Sequence, residues 1–321
     1  MAKNHFTRFK EGVQISGVSM NVHQKGKVFY VCNSSVPAPL GSVGSNSSKG
    51  LTPENPVSTI DAAVNLTVAN RGDKIVVLPG HAETISSATA LNLDVAGIDI
   101  VGVGEGSLRP TVTLDTATTT TIPVSAANIT ITNVVFSANF ADIVAVFTLT
   151  TAKHFKLHNC AVQATATNMN FKYVVDTNAT TADADGLTIA NCTWIEPDTA
   201  TESMVKMDGT NDRVTVTGNY VNLGVGNNKA ALVVVATGKV VTNLRMVENH
   251  VIRLNTDTAT GGILFHTDGS TNTGIVADNY AQHADVAAEI LITASSGLAV
   301  FANYASGVAG ASGYILPAVD S

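Results

Sequence analysis

"VTVTGNYVNL", residues 214–223, ends an apolar alternation on an Asn, and the same phrase returns along the chain. It reads "ITITNVVF" at 129–136, "FKLHNCAV" at 155–162, "LTIANCTW" at 187–194, "LRMVENHV" at 244–251, "IVADNYA" at 275–281 and "LAVFANYA" at 298–305. The anchors are Asn133, Asn159, Asn191, Asn219, Asn249, Asn279 and Asn303, spaced by 26, 32, 28, 30, 30 and 24 residues. Self-similarity of that period marks a solenoid. Its unit is strand rather than helix, because apolar residues alternate with period 2 before each Asn and no 3.6-residue period is seen. Further strand-like pieces fall between the phrases: "DIVAVFTL", "FKYVVDT", "SMVKMDG", "ALVVVATG", "GILFHTDG" and "EILITAS".

Two or three short strands per repeat predict an all-β fold, a right-handed single-stranded parallel β-helix whose rungs stack at about 4.8 Å. An Asn at every corner can pair its amide with the Asn of the next rung and satisfy turn backbone groups, predicting one side-chain ladder of seven. The first three copies place Asn two residues after the second apolar position and the last four place it three after. One added residue, a bulge, is the expected difference. If Asn points inward, the residues that follow it, Val134, Cys160, Cys192, Tyr220, His250, Tyr280 and Tyr304, point outward.

The open end of a solenoid needs a lid. In "STIDAAVNLTV", Ser58 and Asp61 suggest a capping box, and Ile60, Ala63, Val64 and Val68 an apolar helical face, predicting a capping helix over about 57–69. Repeated coils are expected over about 74–318, inside a β-helix domain of 36–321. Residues 1–35 form a short N-terminal arm; in its first thirty residues Lys3, Arg8, Lys10, Lys25 and Lys27 face Glu11 alone. That stretch is +4 and leaves −11 for the rest, so a basic attachment segment or a solvated end precedes an acidic body. The body's charge argues against nucleic acid as a partner. No apolar run is long enough to cross a membrane and the first residues lack a secretory h-region. Cys32, Cys160 and Cys192 lack disulfide-framework or zinc spacing, and Cys160 and Cys192 are expected to stack as reduced thiols on neighbouring rungs.

Gly50, Pro56, Thr59, Ile60, Ala63, Val64, Gly72, Asp73, Ile75, Pro79 and Gly80 resemble the first coil of pectate-lyase-type β-helix proteins, over about 40 residues. "LPGHAETI" at 78–85, "LNLDVAGIDIVGVGEGSLRPT" at 91–111 and "SAANITITNVVF" at 125–136 are similar to a group of tailed-bacteriophage β-helix virion proteins. The resemblance implies a phage particle component, commonly a homotrimer. With the basic arm it leads to the expectation of a capsid decoration (cement) protein, made in the host cytoplasm, bound to the major capsid protein and displayed on the capsid surface. The last coil is followed closely by "SGYILPAVDS" at 312–321, which agrees with the expectation of a short projection. The alternative is a small tailspike or fibre protein that binds or cleaves host surface polysaccharide. The lyases' calcium and catalytic residues have no counterpart to carry over, so no enzyme, no cofactor and no metal site is expected.

Two sets of side chains could carry function. Asp176, Asp208 and Asp268 end second-strand pieces, and successive rungs could bring two carboxyls to the 5–9.5 Å or so that glycoside hydrolysis needs; Asp-Gly is equally ordinary turn chemistry. Tyr220, His250, Tyr280 and Tyr304 would make an exposed column suited to a subunit interface, to sugar stacking or to simple surface stacking. The histidines, His154 and His158 included, lack carboxylate partners at metal-site spacing.

Overall fold

The computed structural model describes residues 26–33, 43–198, 200–223, 232–253, 264–267, 271–283 and 297–307, with the backbone of Val13–Ile15, Val18–Met20 and Ser312–Ile315. It is a right-handed parallel β-helix with three faces. The first and second sheets have ten strands each and the third has six. Each rung runs from the first sheet to the second across the Asn corner, then through the third sheet and back. The first sheet begins at Val28–Val31 and ends at Gly297–Phe301. All its pairings are parallel. The second sheet ends with an antiparallel strand, Ser312–Ile315 on Asn303–Gly307.

Period-2 alternation explains the core, because every second residue of each strand turns inward and stacks on its equivalent one rung away. From the first sheet come Ile131, Leu157, Ile189, Val216, Met246 and Val276. The second contributes Val112, Phe136, Val162, Trp194, Val221 and Val251, and the third Phe147, Val175, Val205, Val233 and Phe265. All of them belong to one buried apolar cluster.

The N-terminal end differs from the expected boundaries. Val28–Val31 pairs with Lys74–Val77 and buries Phe29 and Val31, so the solenoid begins inside the segment read as an arm. Asp73 fastens this junction, accepting from the Lys27 and Val68 backbone N–H groups and from the Arg71 guanidinium. Burial opposes that charge, but the Arg71 bonds and the two N–H groups outweigh it and hold the carboxyl below its usual range. Lys3, Arg8, Lys10 and Lys25 lie outside the described residues. The capping helix is only Ile60–Val64, with Thr59 rather than Ser58 as N-cap, its hydroxyl accepting from the Ala62 N–H at 3.2 Å. Glu83 of the next rung supplies a second cap to the Ile60 N–H at 2.9 Å. Val68 falls beyond the helix and is 49% exposed.

Candidate functional site

The seven Asn residues do not form one ladder; they occupy two adjacent positions of the same corner. Asn133, Asn159 and Asn191 have φ of 60°, 50° and 55°, the left-handed region that Asn tolerates better than most residues. In the later rungs this position holds Gly218, Glu248, Asp278 and Ala302, with φ of 64°, 59°, 55° and 54°. The backbone N–H groups of Asn133, Asn159, Asn191, Gly218 and Glu248 cross one rung, as from Asn159 to the Ala190 carbonyl at 3.0 Å and from Gly218 to the Val247 carbonyl at 3.1 Å. The next residue points inward. It is Val134, Cys160 and Cys192 in the early rungs and Asn219, Asn249, Asn279 and Asn303 in the late ones, all buried. No residue is added: Thr132, Asn133, Val134, Val135 and Thr217, Gly218, Asn219, Tyr220 are the same corner in register, so the expected bulge is absent.

Only the late four make a continuous buried ladder; among the early three a single exposed bond joins Asn159 Nδ2 to Asn133 Oδ1 at 3.4 Å. Nδ2 of Asn219, Asn249 and Asn279 donates to the next Asn Oδ1, each at 2.9 Å, and that oxygen also accepts the preceding Asn's backbone N–H. The same amides donate to the carbonyls of Ile189, Val216 and Met246. At its N-terminal end the ladder accepts the Cys192 N–H at 2.9 Å and gives way to the stacked thiols of Cys160 and Cys192. Buried amides must be paired, which is why the inward position can be Asn only in an unbroken run.

The outward column therefore begins one residue later than the sequence suggested. Tyr220, His250, Tyr280 and Tyr304 stand in register, but the residues behind them are Val135, Ala161 and Thr193 rather than Val134, Cys160 and Cys192. Tyr220 and His250 meet edge to face at 5.2 Å and His250 and Tyr280 at 4.8 Å. Tyr280 is 38% and Tyr304 48% exposed, and Ile275 and Phe301 are exposed just across the corner.

The third sheet carries a polar cluster. Asp176 and Lys206 are in register on adjacent strands, and Asp208 lies two residues beyond Lys206. The Lys206 ammonium is 2.6 Å from Asp208 and 3.6 Å from Asp176, and 5.4 Å from the Tyr173 ring centroid. The Tyr173 hydroxyl donates to Glu202. Burial pushes Asp176 up to about 6; Lys206 opposes that shift and Asp208 adds to it. Burial also works against the Lys206 cation, but its bonds to Asp208 and Asp176 prevail and raise its pKa. The Tyr173 phenol is raised by burial and by its bond to Glu202. A carboxyl that can hold a proton near neutrality beside an ion-paired one is equipped for proton transfer. Asp268 lies outside the described residues. Lys206, Tyr173 and Glu202 were missed in the sequence: aligning "FKYVVDT" with "SMVKMDG" sets Asp208 beside Asp176, whereas the strands pair two residues out of that alignment and set Lys206 there.

His154 sits at a left-handed corner with φ of 58°, whereas His158 lies on the outer face of the first sheet, its pKa lowered by burial and by Lys156. Among the described residues no group of three or more His, Cys, Asp or Glu could hold a metal ion, and no helix is long and apolar enough to cross a membrane.

The fold and corner geometry define a parallel β-solenoid. No family profile matches the chain, and no curated protein is similar to it in sequence. Among solved structures, a rhamnogalacturonan lyase aligns over 91% of this chain and 90% of its own at 12% identity, with a TM-score of 0.45. The GH136 lacto-N-biosidase from Eubacterium ramulus aligns over 88% and 68% at 11% identity, with a TM-score of 0.27.

Proposed function

We propose that the chain is a structural virion protein, a stiff β-helix that assembles as a homotrimer on a bacteriophage head as a decoration (cement) protein in contact with the major capsid protein. The observation that carries this reading is the column Tyr220, His250, Tyr280 and Tyr304, in register on four rungs, with exposed Ile275 and Phe301 across the corner. Aromatic area on a rigid sheet loses little side-chain freedom when covered, and subunit interfaces are enriched in it. A trimer fits the threefold positions of a capsid, where it would stabilise the shell through added interface. The sequence resemblance of residues 78–136 to phage virion proteins and the basic first thirty residues support the same placement. Quantitative mass spectrometry of purified particles is the test. Copy number comparable with the capsid subunit is expected; a few per cent of it would contradict a head protein.

A second reading, a small tailspike that binds or cleaves host surface polysaccharide, is favoured by the Tyr173, Asp176, Lys206 and Asp208 cluster. Asp176 would protonate the leaving oxygen and Asp208 would serve as the opposing carboxylate. Replacing both by Asn should abolish sugar release while leaving the far-UV spectrum unchanged. Absence of release by the unaltered protein would remove the catalytic half of this reading.

A further inference from the structure

Glu196 ends the second-sheet strand Thr193–Glu196 with its side chain inward and 0% of its surface exposed. Oε2 accepts from the Phe171 N–H at 3.0 Å and from the Thr201 hydroxyl at 3.1 Å. Oε1 has no hydrogen-bond partner, and neither has Nε1 of Trp194 two residues earlier. Other buried acids in the molecule are matched differently: Asp73 by the Arg71 guanidinium, Glu83 by His81 and the helix N-terminus.

No described lysine or arginine forms an ion pair with Glu196. The charged and titratable groups around it are Asp198 and Glu202 on its own corner, Lys172, Tyr173 and Asp176 on Phe171–Thr177, Lys206 on Ser203–Met207, and Tyr220 on the adjacent strand Tyr220–Leu223. Of the two lysines in this set, Lys206 is committed to Asp176 and Asp208, and no ion pair joins Lys172 to Glu196. Leu223 stands in register beside Glu196 on the next rung. A carboxylate with 0% of its surface exposed and no ion pair to a described lysine or arginine is unstable in its charged form.

We propose that Glu196 is a proton-loaded latch: neutral, it holds the corner carrying Thr201 and Glu202 closed, and ionised it opens that corner and frees Glu202 from the Tyr173 hydroxyl. Burial, opposed by the Phe171 and Thr201 bonds and by the neighbouring Trp194 indole and reinforced by the like charge of Asp198, leaves its pKa at about 8. The corner therefore loosens on the alkaline side of neutrality. The device depends on neither functional reading, since Glu196 stands inside the core and borders the polar cluster only through the bond between Glu202 and Tyr173.

Trp194 is the single tryptophan of the chain and is fully buried. Its emission reports this site without labelling. A one-proton red shift with increased acrylamide quenching is expected between pH about 6 and about 9.5, and its absence overturns the proposal. Glu196→Gln should keep the blue-shifted spectrum throughout, and the same transition in that variant also overturns it. Infrared difference spectra of the unaltered protein serve if the variant does not fold. Loss of a protonated-carboxyl band between pH about 7 and about 9.5 is expected, and no such band at pH about 7 contradicts the latch.

Discussion

The early and late rungs build one corner in two ways. In the early rungs Asn stands at the left-handed position, the inward residue is Val134, Cys160 or Cys192, and the outer residue after it is small: Val135, Ala161 or Thr193. In the late rungs Asn has moved one residue on and inward, and an aromatic stands outside it. The early corner spends Asn on backbone conformation and packs an apolar interior. The late corner spends it on a buried hydrogen-bonded ladder, accepts Glu248, Asp278 and Ala302 at positive φ, and presents Tyr220, His250, Tyr280 and Tyr304. One shifted residue thus separates a structural half from the half that carries the candidate surface.

The largest expected difference between the halves is the cost of losing an Asn. Asn249→Ala takes the partner from the Asn219 backbone N–H and from the carbonyl of Val216 inside the core and one bond from the Asn219 side-chain amide, and denaturant unfolding should show a loss of about 3 kcal/mol or more. Asn159→Ala places Ala in the left-handed region and removes one long, exposed bond to Asn133 Oδ1, together about 1 kcal/mol. Equal losses would erase the distinction. At the junction rung, Glu196 binds its proton more tightly folded than unfolded, so its contribution is fully present below pH about 4.5 and is lost as pH rises through about 8. Stability should fall with slope up to about 1.4 kcal/mol per pH unit in that window, and Glu196→Gln should flatten the profile in urea titrations at several pH values.

Smaller effects sharpen the comparison. Glu248→Gly should raise stability by about 1 kcal/mol, as Gly218 already occupies that position one rung earlier; a decrease in thermal midpoint would show that Glu248 is not strained. Cys192→Asn should extend the ladder by one rung and change stability by less than about 1 kcal/mol, because Asn219 Oδ1 already faces it. A loss near that of Asn249→Ala would mean that the early corner cannot house an inward amide.

Much of the fold was legible because the Asn phrase and the period-2 strands repeat at rung length. The division of the Asn residues was not, since a left-handed turn and a buried amide ladder both select Asn and differ by one position. A second left-handed column, which includes Asn128, His154, Gly186, Arg213 and Asn243, escaped notice because its residue types vary while its φ does not. The lid helix was read too long because apolar Val68 continues the helical period after the chain has already turned. Of the candidate surface, the aromatic column and the pair Asp176 and Asp208 were visible along the chain. Lys206, Tyr173 and Glu202 join them only through contacts across rungs, and Glu196 was hidden as a single acid on an inward strand position.

The claim that the late half carries the surface on which copies meet is tested most directly by sedimentation equilibrium of the unaltered protein and of Tyr220→Ser/Tyr280→Ser. Three chains per particle for the former and one for the latter are expected. A single chain for the unaltered protein, or a trimer untouched by the double substitution, would contradict it.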